Sequence, residues 1–318
     1  MSPHGIVASS TSLTHRVSPQ KPPAEGGTET TSGAWTIHTF TTTGTSNFVV
    51  NKALTGVQIL IVAGGGGGGG DNSGGGGAGG LVYYGTETPT NRTTPNGGNQ
   101  SFAVGTYVVT VGAGGAGSPA VNTDASSGGF SRVNGPSFDK QGNGGGRGGT
   151  GDGALGRANG LDGGSGGGAA QESSWNGNKG LTEGNVGNAP QGNHAGSGAS
   201  GAGGGGGGAG GQGANGSSIT SAIGGLGGVG LEYSISGTAT WYAAGGSGGN
   251  ENGIYNQPAR RSGIGGQSNS ANNTGTTDGV ANTGSGGGGV THSTSATSPA
   301  GGYGGHGADG IVIIRYQA

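Results

Sequence analysis

Six histidines, His4, His15, His38, His194, His292 and His306, are the first side chains to test for chemistry. No two stand at i, i+4, so neither a metal pair nor a base beside a nucleophile has spacing support, and surface histidines are the simpler account. Cysteine is absent, which removes disulfides, thiolate metal sites and cysteine nucleophiles together. G-x-G-x-x-G recurs through composition alone, without the following helix that a phosphate-binding loop needs, and no Gly-Lys-Ser/Thr is present. Gly148-Gly149-Thr150-Gly151-Asp152 approaches a calcium-binding nonapeptide, but its Asp is one position early and no nine-residue repeat follows, so it reads as a polar turn. Asn91-Arg92-Thr93, Asn215-Gly216-Ser217 and Asn272-Asn273-Thr274 match a glycosylation acceptor, which matters only in a secretory pathway. No acid–base pair, nucleophile elbow or metal cluster can be placed, so the chain is expected to be no enzyme and to need no cofactor.

The side chains that retain a functional reading are large ones in small or polar surroundings: Trp175, Tyr255, Arg260, Arg261 and Tyr303. Aromatic residues and arginine dominate recognition surfaces, which makes these five candidate contact residues. The competing account is that each shields the end of a glycine bundle, and for Trp175 and Tyr303 both accounts stand. Four of the five sit in the polar inserts Ala169–His194 and Gly249–Ser262; a third insert, Val290–Pro299, carries His292.

What must position these inserts is glycine. The chain has 90 glycines in 318 residues, only 28 % hydrophobic and 8 % charged residues, and a formal charge of −2, so neither a large uniform core nor a nucleic-acid footprint is present. No run approaches the ~18 apolar residues of a membrane span, and Met1–Gln20 lacks the basic start and apolar centre of a signal peptide, which points to synthesis in the cytoplasm. Apolar residues gather instead in strand-length segments: Trp35–Phe40, Ser46–Val50, Val57–Val62, Leu81–Tyr84, Ser101–Val104, Tyr107–Val111 and Ile311–Tyr316. Hairpins are expected at Phe130–Lys140, turning at Asn134-Gly135-Pro136, and at Leu231–Ala243 around Gly237. Val57–Val62 is nearly continuous and reads as a strand covered on both faces. It empties into Gly64–Gly80, the first of several glycine runs that include Gly142–Gly168, Gly196–Gly216 and Gly284–Gly289.

Those runs lack collagen's third-position register and the 3.6 period of a helix, and glycine costs ~1 kcal/mol per helical position against alanine. What remains is polyglycine II, an extended threefold helix whose neighbours hydrogen-bond side by side. The expected architecture is therefore mostly β: a β-sandwich assembled from N- and C-terminal strands, with inserted polyglycine II helices and essentially no α-helix. Residues 1–33 lack periodicity and read as an extended attachment arm, leaving 34–318 as the glycine-rich domain.

Together, Val57–Val62 running into polyglycine, the hairpin at Ser137-Phe138, the segment Ser218-Ile219 to Leu231–Gly246 and the ending Gly310-Ile311-Val312-Ile313-Ile314-Arg315-Tyr316 resemble the glycine-rich domain of tailed-bacteriophage virion proteins. The resemblance covers Ala34 to Ala318 and implies a polyglycine II bundle, of the tail-fibre or tip-adhesin type, whose loops contact a host-cell surface receptor. Three expectations follow: a virion protein held to other virion proteins through its arm, a host-cell glycan or protein as ligand, and a multi-subunit assembly without nucleic-acid binding or membrane insertion. A capsid decoration or head-fibre protein is the alternative within the virion. An ice-binding or other non-viral glycine-rich surface protein is the alternative outside it.

Overall fold

From Val57 to Val62 only Gln58 is polar, which leaves neither face for water, and all six residues are buried. The computed structural model describes residues 21–90, 97–120, 123–151, 158–171, 191–217, 223–250, 262–268, 276–291 and 304–317. Its strands are β1 (Ala24–Glu25), β2 (Thr28–Ser32), β3 (Trp35–Phe40), β4 (Gly44–Val50), β5 (Leu54–Val62), β6 (Leu81–Tyr84), β7 (Gln100–Phe102), β8 (Gly105–Val111), β9 (Ser131–Gly135), β10 (Phe138–Gly142), β11 (Leu231–Tyr233), β12 (Thr240–Tyr242) and β13 (Ile311–Gln317). One antiparallel sheet has the order β1-β4-β8-β9-β10; a second has the order β2-β3-β13-β5-β6, with β7 also on β5; β11 and β12 form a separate hairpin. There is no helix among the described residues.

The period of two along β5 and β13 builds two cores at once. Ile59, Ile61, Val312, Ile314 and Tyr316 face the first sheet and meet Phe48, Tyr107, Val109, Val133 and Phe138. Leu60, Val62, Ile311 and Ile313 face the other way, against Leu231, Tyr233 and Tyr242 of the hairpin and Ala78 and Ala243 from the glycine-rich part. The second sheet is thus covered on both faces, as the continuous apolar run requires.

Two polar side chains are built into this interior. Arg315 stands where β13 leaves the second core. Its Nε and Nη2 donate to Gln58 Oε1 at 3.0 and 2.6 Å, its Nη2 also to Glu87 Oε1 at 2.9 Å, and its Nη1 to Ser234 O at 2.8 Å. The guanidinium stacks over Trp35 at 4.6 Å, so one cation ties the hairpin tip to the sheet. His38, expected at the surface, is fully buried. It stacks on Tyr316 and donates from Nδ1 to Gly26 O at 2.8 Å, which pins the turn that carries the chain from the first sheet to the second.

At the end of β5 the chain leaves the sandwich and becomes one line of a lattice. Gly64 and Gly67 donate to Gly129 and Ser126, Gly65 and Gly68 to Ala308 and Gly305, and Gly66 and Gly69 to Gly77 and Gly74; their carbonyls accept from Gly145, Gly148, Gly115, Ser118 and Gly287. Every third residue therefore returns to the same neighbour, which is the threefold polyglycine II period, and the segment is surrounded on six sides. Residues 74–80 repeat the pattern, donating to 143–149, 204–207 and 284–287 and accepting from 63–69, 165–168 and 246. Where Gly69 O lacks a direct donor, the Ser73 hydroxyl fills the gap, donating to it at 2.7 Å and accepting Val290 N at 2.7 Å. A Cβ on Gly65 would collide with Ser285 O, on Gly68 with Gly288 O, and on Gly206 with Gly76 O.

Some boundaries differ from the sequence reading. Residues 24–32, part of the expected arm, pair with β4 and β3 as β1 and β2, because an exposed Thr-rich edge needs no apolar alternation. The first hairpin turns on Pro136-Ser137, with Asn134 and Gly135 still paired in β9, since proline at the first turn position supplies its fixed φ. The second hairpin has shorter strands and a six-residue connection, 234–239, held by Arg315 and Glu87.

Three outcomes test this architecture. Amides of residues 64–69 and 74–80 should exchange as slowly as those of β5 and β13, and exchange at random-coil rates would remove the lattice. Gly206→Val should abolish soluble folded protein, whereas Gly98→Ala, where a Cβ meets nothing within 4 Å, should change stability by no more than about 0.5 kcal/mol. Burial raises the hydroxyls of Tyr83, Tyr84, Tyr242 and Tyr316 above the ordinary value of 10.0. A raised folded value gives stability that is present below the unfolded value and lost above it, so melting temperature should be level near neutrality and fall once pH passes about 10. A midpoint unchanged at higher pH would contradict the burial of these rings.

Candidate functional site

Inside a lattice satisfied by backbone there is no room for large side chains, so these stand on its outer flanks, as Arg147, Leu161 and His306 do, and where the segments turn. Hydrogen-bond partners fix the direction of each segment. Residues 63–70 run outward from β5, and residues 74–80 return to β6. The far end is therefore marked by Asp71, Asn72 and Ser73. Gly151 N reaches Gly70 O, Gln171 N reaches Asn72 O, Gly249 N reaches Ser73 O, and Gly304 N reaches Ser118 O beside Gly68. Residues 118–120, 123, 151, 171, 199–202, 217, 223, 250, 291 and 304 accordingly share this end of the lattice, opposite the sandwich.

The floor of this distal face is polar and buried. Asp71 and Asn72 adopt positive φ, 57° and 37°, a conformation in which Asn and Asp are the usual non-glycine residues. Asn72 Nδ2 donates to Gln171 Oε1 at 2.8 Å, so one side-chain pair ties the first turn to the root of the Trp175 insert. Ser118 Oγ is within 2.6 Å of Ala120 O and 2.5 Å of Thr123 O, and Thr150 Oγ1 accepts from Gly70 N at 3.4 Å. These short side chains satisfy the groups that the lattice leaves open when it stops. The signal for the turn was present in the sequence: Asp71-Asn72-Ser73 is the polar break between two glycine runs. The partners of that break were not.

Trp175, Tyr255, Arg260, Arg261 and Tyr303, and His292 with them, lie outside the described residues. The roots of their segments are described. Tyr303 belongs to a segment whose roots, Thr291 and Gly304, both lie on the distal face. The other two inserts leave from the distal face at Gln171 and Asn250 but rejoin beside the sandwich. Gln191 O accepts from Leu81 N at the start of β6, and Ser262 Oγ accepts from Gly230 N just before β11. The lattice thus gathers the starts of all three segments on one face, and the far roots of two of them stand beside the sandwich.

Away from this face, the charged chemistry is structural. Arg132 grips Asp139 with two hydrogen bonds of 2.7 and 2.6 Å across the β9–β10 hairpin and holds its carboxyl below the usual carboxylate range. Arg147 pairs with Asp124 at 3.2 Å on the lattice flank. Among the described residues no cluster of three His, Asp or Glu side chains is arranged to hold a metal ion. The distal face can offer backbone and amide hydrogen bonds.

No curated protein matches the chain. The family model described as a glycine-rich domain matches residues 41–317, from the loop after β3 to the last residue of β13. The matched region takes in the strand-to-polyglycine junction, the whole lattice and the closing strand of the second sheet, and the chain belongs to this glycine-rich domain family.

Proposed function

We propose that the protein is a structural component of a tailed-bacteriophage virion, a tail-fibre or tail-tip protein that binds a host-cell surface glycan or protein through its distal loops. The observation that carries this reading is the polarity of the molecule. Ala24 pairs with Val50 at the end of β4 farthest from the lattice, so Lys21 and the chain before it attach at the base, while the polar turns gather at the opposite end. Between them stand a sandwich whose longer strands run seven to nine residues, about 24–31 Å at ~3.4 Å per residue, and lattice segments of about seven residues, roughly 20 Å at ~3.1 Å per residue. Such a body holds one end on a particle and presents the other to a surface. The resemblance to virion glycine-rich domains supports the same assignment, and the N-terminal segment is then the part that joins other virion proteins.

The combined substitution of Trp175, Tyr255, Arg260, Arg261 and Tyr303 by alanine tests the recognition role. Adsorption of particles carrying the variant should fall by at least tenfold, since central aromatic and arginine contacts are worth about 2 kcal/mol or more each, while the melting temperature stays unchanged. Unchanged adsorption would remove the receptor-binding reading and leave capsid decoration in its place. Whole-insert exchanges need linkers of about ten residues rather than tight turns, because Gln171 and Gln191 root at opposite ends of a ~20 Å lattice. Truncation should stop at Lys21, since Ala24–Ser32 belongs to the sheets; loss of residues 1–20 should leave a folded body that no longer enters the particle, and normal incorporation would refute the attachment role.

A further inference from the structure

The edges of the two large sheets are finished in different ways. On one side Gln191, 1 % exposed, joins them: its carbonyl accepts from Leu81 N at β6 (3.0 Å), its Nε2 donates to Gln141 O of β10 (2.9 Å), and its Oε1 accepts from Asn143 N (2.9 Å). On the other side the first sheet ends in β1, only two residues long. The second sheet ends in β2, five residues whose first four are exposed, with no strand beyond it among the described residues. Edge strands are normally blunted by charged side chains, lysine above all, by proline, a bulge or shortness, and of these β2 has one charge, Glu29. Thr28-Glu29-Thr30-Thr31-Ser32 has no proline and no lysine, pairs with β3 in unbroken register, and is rich in β-branched threonine.

The hairpin sets which backbone groups are open. Ser32 pairs with Trp35 across the two-residue turn Gly33-Ala34, with Gly33 at φ 58°. In such a turn the closing pair is hydrogen-bonded, and so, alternately, are Thr30 with Ile37 and Thr28 with Thr39. Glu29 and Thr31 then direct both N–H and C=O away from β3. We propose that β2 is a self-association edge, pairing antiparallel with β2 of a second copy about a twofold axis at Thr30 and joining the two second sheets into one. The strand is its own complement in this register. Glu29 of each copy lies opposite Thr31 of the other, and the exchanged groups form the hydrogen-bonded pairs. The two carboxylates fall on a diagonal of about 7–8 Å rather than face to face. An isologous twofold contact of this kind closes at two copies.

The absence of cysteine makes the test clean. In the proposed register Thr30 meets Thr30 in a non-hydrogen-bonded pair with Cα atoms about 4.5 Å apart, inside the range a disulfide spans. Thr30→Cys in the full chain should form a disulfide-linked dimer under mild oxidation at least about tenfold faster than Thr106→Cys, an equally exposed threonine on the outer face of the first sheet. Sedimentation of the unmodified chain at concentrations up to about 1 mM, the range suited to a small contact, should show a reversible dimer. Thr31→Pro deletes an outward N–H without touching the β2–β3 ladder, and should abolish that dimer at unchanged melting temperature. A chain that stays monomeric, a Thr30→Cys variant that crosslinks no faster than Thr106→Cys, or a dimer that survives Thr31→Pro would each overturn the proposal.

Discussion

The structure depends on one contact repeated throughout its outer half, a backbone N–H to a backbone C=O between chains packed too closely for a Cβ. Around residues 63–70 these bonds measure 2.8–3.1 Å and reach six different segments, so no line of the lattice is stable without the others. Alanine and serine also enter the lines, some of them where a line meets something other than another line. Ala78 and Ala243 meet the second core, and Ser73 supplies a hydroxyl where the backbone has no donor in reach. A position in the lattice is therefore specified by what it must lack, which is a stricter demand than the apolarity asked of a core.

That contact does not stand alone. Ordering a residue's backbone costs about 1–2 kcal/mol, with glycine at the high end, and a hydrogen bond returns a net ~0.5–1.5 kcal/mol, so a glycine lattice is close to neutral per residue. The sandwich supplies the surplus. β5, β6, β8, β9, β10, β12 and β13 all open into or close a lattice line, which fixes where the ends of those lines stand. Burial of Ile59–Val62 and Ile311–Ile314 on two faces, at roughly 1.5–3 kcal/mol per side chain, is where that register is secured. Arg315 on the face of the second sheet and Gln191 at its margin do the same with polar groups, one holding the hairpin and the other bridging the sheets.

What the sequence discloses follows from how local each signal is. Val57–Val62, Tyr107–Val111 and Ile311–Tyr316 declare themselves because alternation and β-branching are local properties, and their strands match to within three residues at either end. The glycine runs declare the lattice, but 112–118 and 124–129 belong to it as well and are hidden by alanine, serine and Asp124, since the requirement is a small side chain at particular positions rather than glycine at all of them. β1 and β2 are invisible for a different reason: a solvated edge strand has no hydrophobic face to report. His38, Arg315 and Gln191 look like ordinary polar residues because their partners lie 12 or more positions away. For the distal face, Asp71-Asn72-Ser73 gives away a turn, while the gathering of many turns onto one face exists only in the pairing.

That gathering has a consequence for how such a protein changes. A substitution inside the lattice puts a Cβ against a carbonyl oxygen, as at Gly206, and is not absorbed by a neighbour's rotamer because the neighbour is backbone. The turns carry no such restriction: their roots are fixed by Asn72–Gln171, Ser118 and Thr150, and what lies between two roots is free to vary in length and composition. Rigidity and variability are thereby separated in space, the one in the packed lines and the other in the segments between their roots. Backbone-only packing produces this division directly, because large side chains fit only outside the packed lines.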